Sequence, residues 1–463
     1  MADLTQQSLA EVARSIESRE VSPIEVTEAC LDRITLTDGT LNSFITVMAD
    51  EAKRAAAVAA DEIASGTYRG PLHGVPIGLK DLVAVSGVRM TAGSKIMADN
   101  IADEDAEIVH RFRAAGAVII GKLNMHEFAY GATGINPHYG SARNPWNTER
   151  ITGGSSSGSG SAVAAGQCFA AIGTDTGGSI RIPASLCGVV GVKPTFGLVS
   201  RRGIVPLSWS LDHAGPLART VEDAAIVLQA IAGHDRLDDS SVDESVPDYR
   251  AGLRDGVRGL RIGVPDSFFF DDLDDEIEAA VRAAIETLKA EGAVVSSISL
   301  PRIDEIPNAV TAMMLPEPLA YHRKWLNERP DDYGDAVRFR LELAAAIPAV
   351  AYVQAQRFRE MVVQEWREQV FSKVDVLACP TTAVCAPAID ESELSTTFNL
   401  VRLTNPLNFI GTPCVSLPCG FTEAGLPIGL QLAGRWFDEG TLLRTAFAYE
   451  QATDWHKRRP AVG

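Results

Sequence analysis

The sequence predicts an α/β fold: a single large twisted sheet, mixed and mostly parallel, flanked by helices on both faces. Two observations predict it. Short apolar runs of strand length alternate with longer segments of helical period along most of the chain. Strands that alternate with helices build sheets covered on both sides. A length of 463 residues would give roughly three domains at about 150 residues each. No internal repeat or low-complexity linker marks a boundary, so the chain reads as one domain over 1–463.

Residues 1–70 read as N-terminal helices. Ser22-Pro23-Ile24-Glu25 is a capping box with proline at the first helical position, opening an amphipathic helix toward Ile34. An alanine-rich helix follows over 50–65. The texture then changes. Gly74-Val-Pro-Ile-Gly-Leu79 is a short apolar run suited to a buried strand, and it ends on Lys80-Asp81. A helix over 107–115 leads into a strand at 117–120, and further strands are expected at 169–172, 260–264, 293–297, 374–377, 414–417 and 428–432. Between them, 275–291 has apolar residues at 277, 281, 284, 285 and 288, with Gly292 beyond its end. That is a surface helix closed by a C-cap glycine. The stretch 300–370 is mostly helical, broken by prolines, and carries Met313, Met314, Trp325, Phe339, Tyr352 and Trp366. It predicts helical packing that also covers and shapes a substrate pocket.

Charge and cysteine usage exclude several function classes. Sixty acidic residues against 42 basic ones leave a net charge of -18. Nucleic-acid surfaces draw their affinity from Lys and Arg on phosphates, so this balance argues against one. The acidity reads as a solubilising surface. The seven cysteines include no CxxC pair, and most sit in apolar company, which predicts buried, reduced thiols. None of the eight histidines pairs as HxH or HxxxH, so no metal site is expected. The N-terminus lacks a basic stretch followed by an apolar run, and no apolar stretch reaches the ~18 residues of a membrane span. The expectation is a cytoplasmic protein without a membrane anchor.

Two segments carry the chemistry. The first is Ile151-Thr-Gly-Gly-Ser-Ser-Ser-Gly-Ser-Gly-Ser161, which runs straight into an apolar small-residue stretch and so does not read as a flexible linker. No Gly-Lys-Ser/Thr follows, which excludes a Walker loop. Gly154 to Gly158 matches a G-x-S-x-G nucleophile elbow centred on Ser156. That motif needs a strand before it, and residues 144–150 are too polar for a buried one. The second segment is Gly173-Thr-Asp-Thr-Gly-Gly-Ser-Ile-Arg-Ile-Pro183. It places Ser179 in a loop just past a strand end, where open α/β sheets hold their ligands. Gly177 and Gly178 allow successive backbone N–H groups to converge, as an oxyanion hole requires.

These segments resemble the amidase signature family. Gly153-Gly-Ser-Ser with Gly158 is similar to its Gly-Gly-Ser-Ser-Gly-Gly element, and Gly173 to Arg181 to its Gly-Thr-Asp-x-Gly-Gly-Ser-Ile-Arg element. The likeness extends through residues 71–81, 121–125, 144–146 and 187–195, resumes at 425–431, and thins between 235 and 375. It marks 71–235 as the signature core and implies the family's fold and a Ser–cisSer–Lys triad. By motif, Ser179 is the implied nucleophile, Ser155 the bridging serine after a cis peptide, and Lys80 the base. The implied oxyanion donors are the backbone N–H groups of Thr176, Gly177, Gly178 and Ser179, with Ser156, Asp175 and Arg181 in support. Ser157 departs from the pattern, standing where the family usually has glycine, and a slight change of loop geometry is expected.

The resemblance implies an amidohydrolase that cleaves a non-peptide acyl C–N bond (amide, anilide or hydrazide, or an ester) through a serine acyl-enzyme. The Met and aromatic content of the helical cover favours an apolar or aromatic acyl group. Expected partners are a small amide-type substrate and water, with no cofactor, no nucleic acid and no membrane; a homodimer is left open. Two other readings stand beside this one. A catalytic subunit of a glutamine-dependent tRNA amidotransferase shares the signature, but usually carries Gln where this chain has Ile182 and an acid in the region where 399–405 has none. An inactive binding protein on the same fold has nothing in its favour, since all three triad positions are filled.

Overall fold

The computed structural model describes residues 3–391 and 393–462. Among them the strands, in chain order, are β1 (Phe44–Val47), β2 (Pro76–Lys80), β3 (Val118–Leu123), β4 (Arg143–Asn144), β5 (Asn147–Ile151), β6 (Ala170–Asp175), β7 (Val190–Lys193), β8 (His213–Ala218), β9 (Arg261–Pro265), β10 (Val294–Ile298), β11 (Val376–Pro380), β12 (Cys414–Phe421) and β13 (Pro427–Gly434). Eleven form one sheet in the order β1-β3-β2-β6-β8-β7-β12-β13-β11-β9-β10, and β4 pairs with β5 in a separate hairpin. Helices flank the sheet, which is mixed as the sequence predicts.

Parallel pairing is confined to two flanks. It joins β2 to β3 and β6 on one side, and β9 to β10 and β11 on the other. The run from β6 through β8, β7, β12 and β13 to β11 is antiparallel, as is the outer β1–β3 pair. The sheet is therefore less parallel than expected. The reason lies in strands that local sequence does not announce. His-Ala-Gly-Pro-Leu-Ala in β8 is rich in glycine, alanine and proline, residues of low strand propensity, and Val-Gly-Val-Lys in β7 is only four residues long and interrupted by glycine. Both are fully buried, and packing between neighbours decides their conformation. The polar stretch before Ser156 also holds a strand, β5, with alternating exposed positions.

The expected helices form. Ser22 and Glu25 complete the capping box of Pro23–Leu41. Ala49–Ala64, Glu107–Ala114 and Asp275–Ala290 follow at the anticipated places, with Gly292 past the last at φ 101°. The proline-broken stretch resolves into Ile306–Met314, Pro316–Glu328, Asp335–Ala344 and Ala349–Gln369. Met313, Val362 and Trp366 pack there with Leu377 and Phe409 in a second apolar core, while Phe339 stays exposed. No described helix is long and apolar enough to cross a membrane.

This frame fixes the site. β2 and β6 are parallel neighbours, so their C-terminal ends, Lys80 and Asp175, emerge side by side. The buried helix Ser157–Ala164 packs against both strands and brings the Gly/Ser segment alongside.

Candidate active site

Lys80 is the last residue of β2 and is fully buried. Its Nζ lies 2.6 Å from Ser155 Oγ and 2.8 Å from Thr174 Oγ1. Burial pushes the amine down to about 7, against the opposing pull of the Asp175 and Asp212 carboxylates. Asp81, the next residue, takes no part in this. It accepts from Thr91 and pairs with the buried Lys122 at 3.3 Å.

Ser155 follows a cis peptide bond after Gly154, and its carbonyl accepts from the His126 N–H at 3.0 Å. Ser156 turns the other way. Its Oγ donates to the Thr174 carbonyl at 3.2 Å, and it is fully buried. The Ser156 N–H donates to the Ser179 carbonyl at 3.3 Å, which ties the two serine-bearing segments together. Ser157, the departure from the motif, opens the helix. A Cβ built on Gly134 would lie 2.6 Å from the Ser157 Cβ, so the missing side chain at Gly134 makes room for it. Among the described residues the Ser157 hydroxyl has no hydrogen-bond partner.

The loop beyond β6 is organised around Asp175. Its Oδ1 accepts from the Gly178 N–H at 2.8 Å and Asn408 Nδ2 at 2.8 Å; its Oδ2 accepts from the Ile180 N–H at 3.1 Å and Arg181 Nε at 3.0 Å. Burial alone would raise this carboxyl, yet the Arg181 guanidinium and these donors hold it well below the usual carboxylate range. Arg181 in turn donates to Gln431 Oε1 at 2.7 Å and the Thr404 carbonyl at 3.1 Å. Losing one partner of such a buried pair strands the other charge. Arg181→Met is therefore expected to cost about 3–5 kcal/mol of stability, read as a shifted midpoint in urea denaturation.

Of the four backbone N–H groups expected to converge near Ser179, one is already taken. The Gly178 N–H is committed to Asp175, so it is not free for a substrate oxygen. Among the described residues, the N–H groups of Thr176, Gly177 and Ser179 have no protein acceptor. The glycines are required for close approach. A Cβ on Gly177 would meet Asn405 Oδ1 at 2.3 Å; one on Gly178, at φ +134°, would meet Thr404 Oγ1 at 2.2 Å. Gly178→Ala is expected to twist the neighbouring donors and lower kcat by about 10²–10³, the loss typical of one missing oxyanion donor. Steady-state kinetics beside an unchanged far-ultraviolet circular dichroism spectrum check this.

Ser179 opens on a cavity of about 230 Å³. Its walls include Tyr130, Ala132, Val310, Met314 and Val401, with Asn405 and Arg340 as polar members. Met314 and Val310 come from the helical stretch the sequence marks as a cover. A second cavity of about 450 Å³ shares Ala129, Thr176 and Leu207 with the first. Thr174, Asp212 and His213 lie on its wall.

Structure thus gathers Lys80, Ser155, Ser156, Asp175, Arg181 and the 176–179 loop at one place. It adds residues to which the sequence alone assigns no role. Thr174 holds the Lys80 amine. Asp212 accepts from Thr176 Oγ1 at 2.6 Å, and Thr404 Oγ1 donates to the Gly177 carbonyl at 2.5 Å. Gln431 ends the 425–431 motif, but only its contact with Arg181 reveals what it does. Thr174 sits inside the Gly-Thr-Asp element, and its β-strand position two residues from Ile172 was the available signal.

Comparison with known proteins agrees with this geometry. The family model described as Amidase matches residues 25–443. The chain is 45% identical to an amidase of Pseudomonas putida, over 100% of this chain and 99% of that one. It is 43% identical to a glutamyl-tRNA(Gln) amidotransferase subunit of Roseiflexus sp. (strain RS-1), covering 99% of each. A solved structure of a vestigial protein complex bearing on the origins of an s-triazine catabolic enzyme superimposes with a TM-score of 0.92 at 38% identity, over 96% of this chain and 98% of that one. The chain belongs to the Amidase family, of the amidase signature type, and is an amide-hydrolysing enzyme.

Proposed function

We propose that the protein is a free-standing amidohydrolase working through a Ser179 acyl-enzyme, with Ser155 as proton relay and Lys80 as base. The observation that carries this is the 2.6 Å contact between Lys80 Nζ and Ser155 Oγ, inside a site that disfavours the lysine's charge. Neutral Lys80 has a lone pair and takes the Ser155 proton while Ser155 takes that of Ser179. The Ser179 oxygen bonds to the carbonyl carbon, and the π electrons move to the carbonyl oxygen, held by the free N–H groups of Thr176, Gly177 and Ser179. The C–N bond then breaks as the proton returns through Ser155 to the departing nitrogen. Water repeats the attack by the same relay, breaks the ester bond and releases the acid.

The chain acts as one catalytic domain, with the helices of 306–369 shaping the acyl pocket. The apolar wall formed by Val310, Met314 and Val401 supports a small apolar or aromatic acyl group. The acidic surface and free, mostly buried cysteines support a cytoplasmic setting.

Several relatives are glutamyl-tRNA(Gln) amidotransferase subunits, which makes membership of a tRNA-dependent complex the second reading. The cavity speaks against it. Glutamine brings an ammonium group that needs a carboxylate, and among the described residues none lines the Ser179 cavity. The purified chain alone is expected to hydrolyse aryl or alkyl amides. Activity that appears only on glutamine, and only with partner chains added, overturns the proposal.

A further inference from the structure

We infer that the two adjoining cavities divide the substrate, the compact acyl group in the smaller and a bulkier, N–H-bearing amine half in the larger, so that anilides are taken in preference to primary amides. The inference rests on the acyl-enzyme reading and names its substrate class.

The order of residues along one loop sets the direction. Gly177 and Ser179 line the smaller cavity, Thr174 lines the larger, and Thr176 borders both. Thr174 also holds the Lys80 amine. The departing nitrogen must collect its proton from the Lys80–Ser155 side, and Thr174, the partner of the Lys80 amine, lines the larger cavity. Volume points the same way, with about 450 Å³ against about 230 Å³. Ammonia would leave most of the larger space unused.

The walls match the assignment chemically. Asp212, Asp238 and Asp239 give the larger cavity carboxylates, which are absent among the described residues lining the smaller one. Trp209 and Leu237, 48% and 74% exposed, supply an apolar rim suited to a ring. His213 stands on the wall of the same cavity. Its Nδ1 faces two carbonyl oxygens, Leu211 at 2.7 Å and Asp175 at 3.0 Å, so Nδ1 carries the ring proton. Nε2 is then a bare acceptor, buried and without a partner. Burial, aided by the Lys193 charge, keeps the ring neutral.

The test narrows each cavity separately. Leu237→Trp fills the rim of the larger cavity, and Met314→Trp the smaller. The readout is kcat/KM for benzamide, benzanilide and benzoic hydrazide, and for anilides of acids of increasing length. Wild type is expected to prefer benzanilide over benzamide, with the small hydrazide close to benzamide. Leu237→Trp should lower the benzanilide-to-benzamide ratio about tenfold, while Met314→Trp should act on the acyl-length series. Added hydrazine should intercept the acyl-enzyme, less so in Leu237→Trp. If Leu237→Trp instead follows acyl length, or lowers benzamide and benzanilide equally, the division is wrong. Failure of the acyl-enzyme reading looks different: wild type then shows no fluorophosphonate label on Ser179 whatever the amine.

Discussion

Ser179→Ala is expected to lower kcat by on the order of 10⁵–10⁶, because removal of a serine nucleophile leaves only the binding and oxyanion contributions. Folding should survive. The side chain borders a cavity, so losing one oxygen opens little new void, and the urea midpoint should stay within about 0.5 kcal/mol of wild type, as for substitutions away from packed features. A fluorophosphonate probe should label the wild type once and the variant not at all. The competing nucleophile is Ser156, centre of the G-x-S-x-G match. Its hydroxyl is fully buried and spent on the Thr174 backbone, whereas Ser179 reaches open space. Labelling that persists in Ser179→Ala and maps to Ser156 would reverse the assignment.

That contrast shows what the sequence could and could not reveal. At the elbow match a strand, turn and helix do surround Ser156, but β5 is a half-exposed hairpin strand and not part of the main sheet. Motif context was legible; the direction of one hydroxyl was not. The helices announced themselves through caps and period, as in Ser22–Glu25. Strands with apolar runs, such as β3 and β12, were equally plain. β8 was silent because its alanines, glycine and proline carry little strand signal, and β7 because two valines split by a glycine make too short a run. In the site, every residue carried over by motif lies at the same place, yet the Gly178 N–H turned out to serve Asp175. Hydrogen-bond competition of that kind depends on loop geometry that no residue pattern encodes. The contacts of Thr404, Asn408 and Gln431 reach across more than two hundred residues and were invisible for the same reason.

The pH profile of Lys80 carries the mechanism furthest. An ordinary lysine titrates near ~10.4 and would be almost entirely charged at neutral pH, useless as a base. Burial brings this one to about 7. The active form is the neutral one, so kcat/KM should rise about tenfold per pH unit below that value and level off above it. Lys80→Met keeps much of the volume and removes the proton acceptor, with an expected loss of about 10²–10⁴. Lys80→Arg keeps a cation near Ser155 and Thr174 but cannot deprotonate, so it should be as damaging and should lose the acid limb near 7. A purely structural cation predicts the opposite for arginine, namely partial rescue with the limb intact. Measuring kcat/KM against pH for wild type and Lys80→Arg on one amide separates the two. If the arginine variant keeps most of the activity and the same limb, the base lies elsewhere, and the 2.6 Å contact with Ser155 only holds that serine in place.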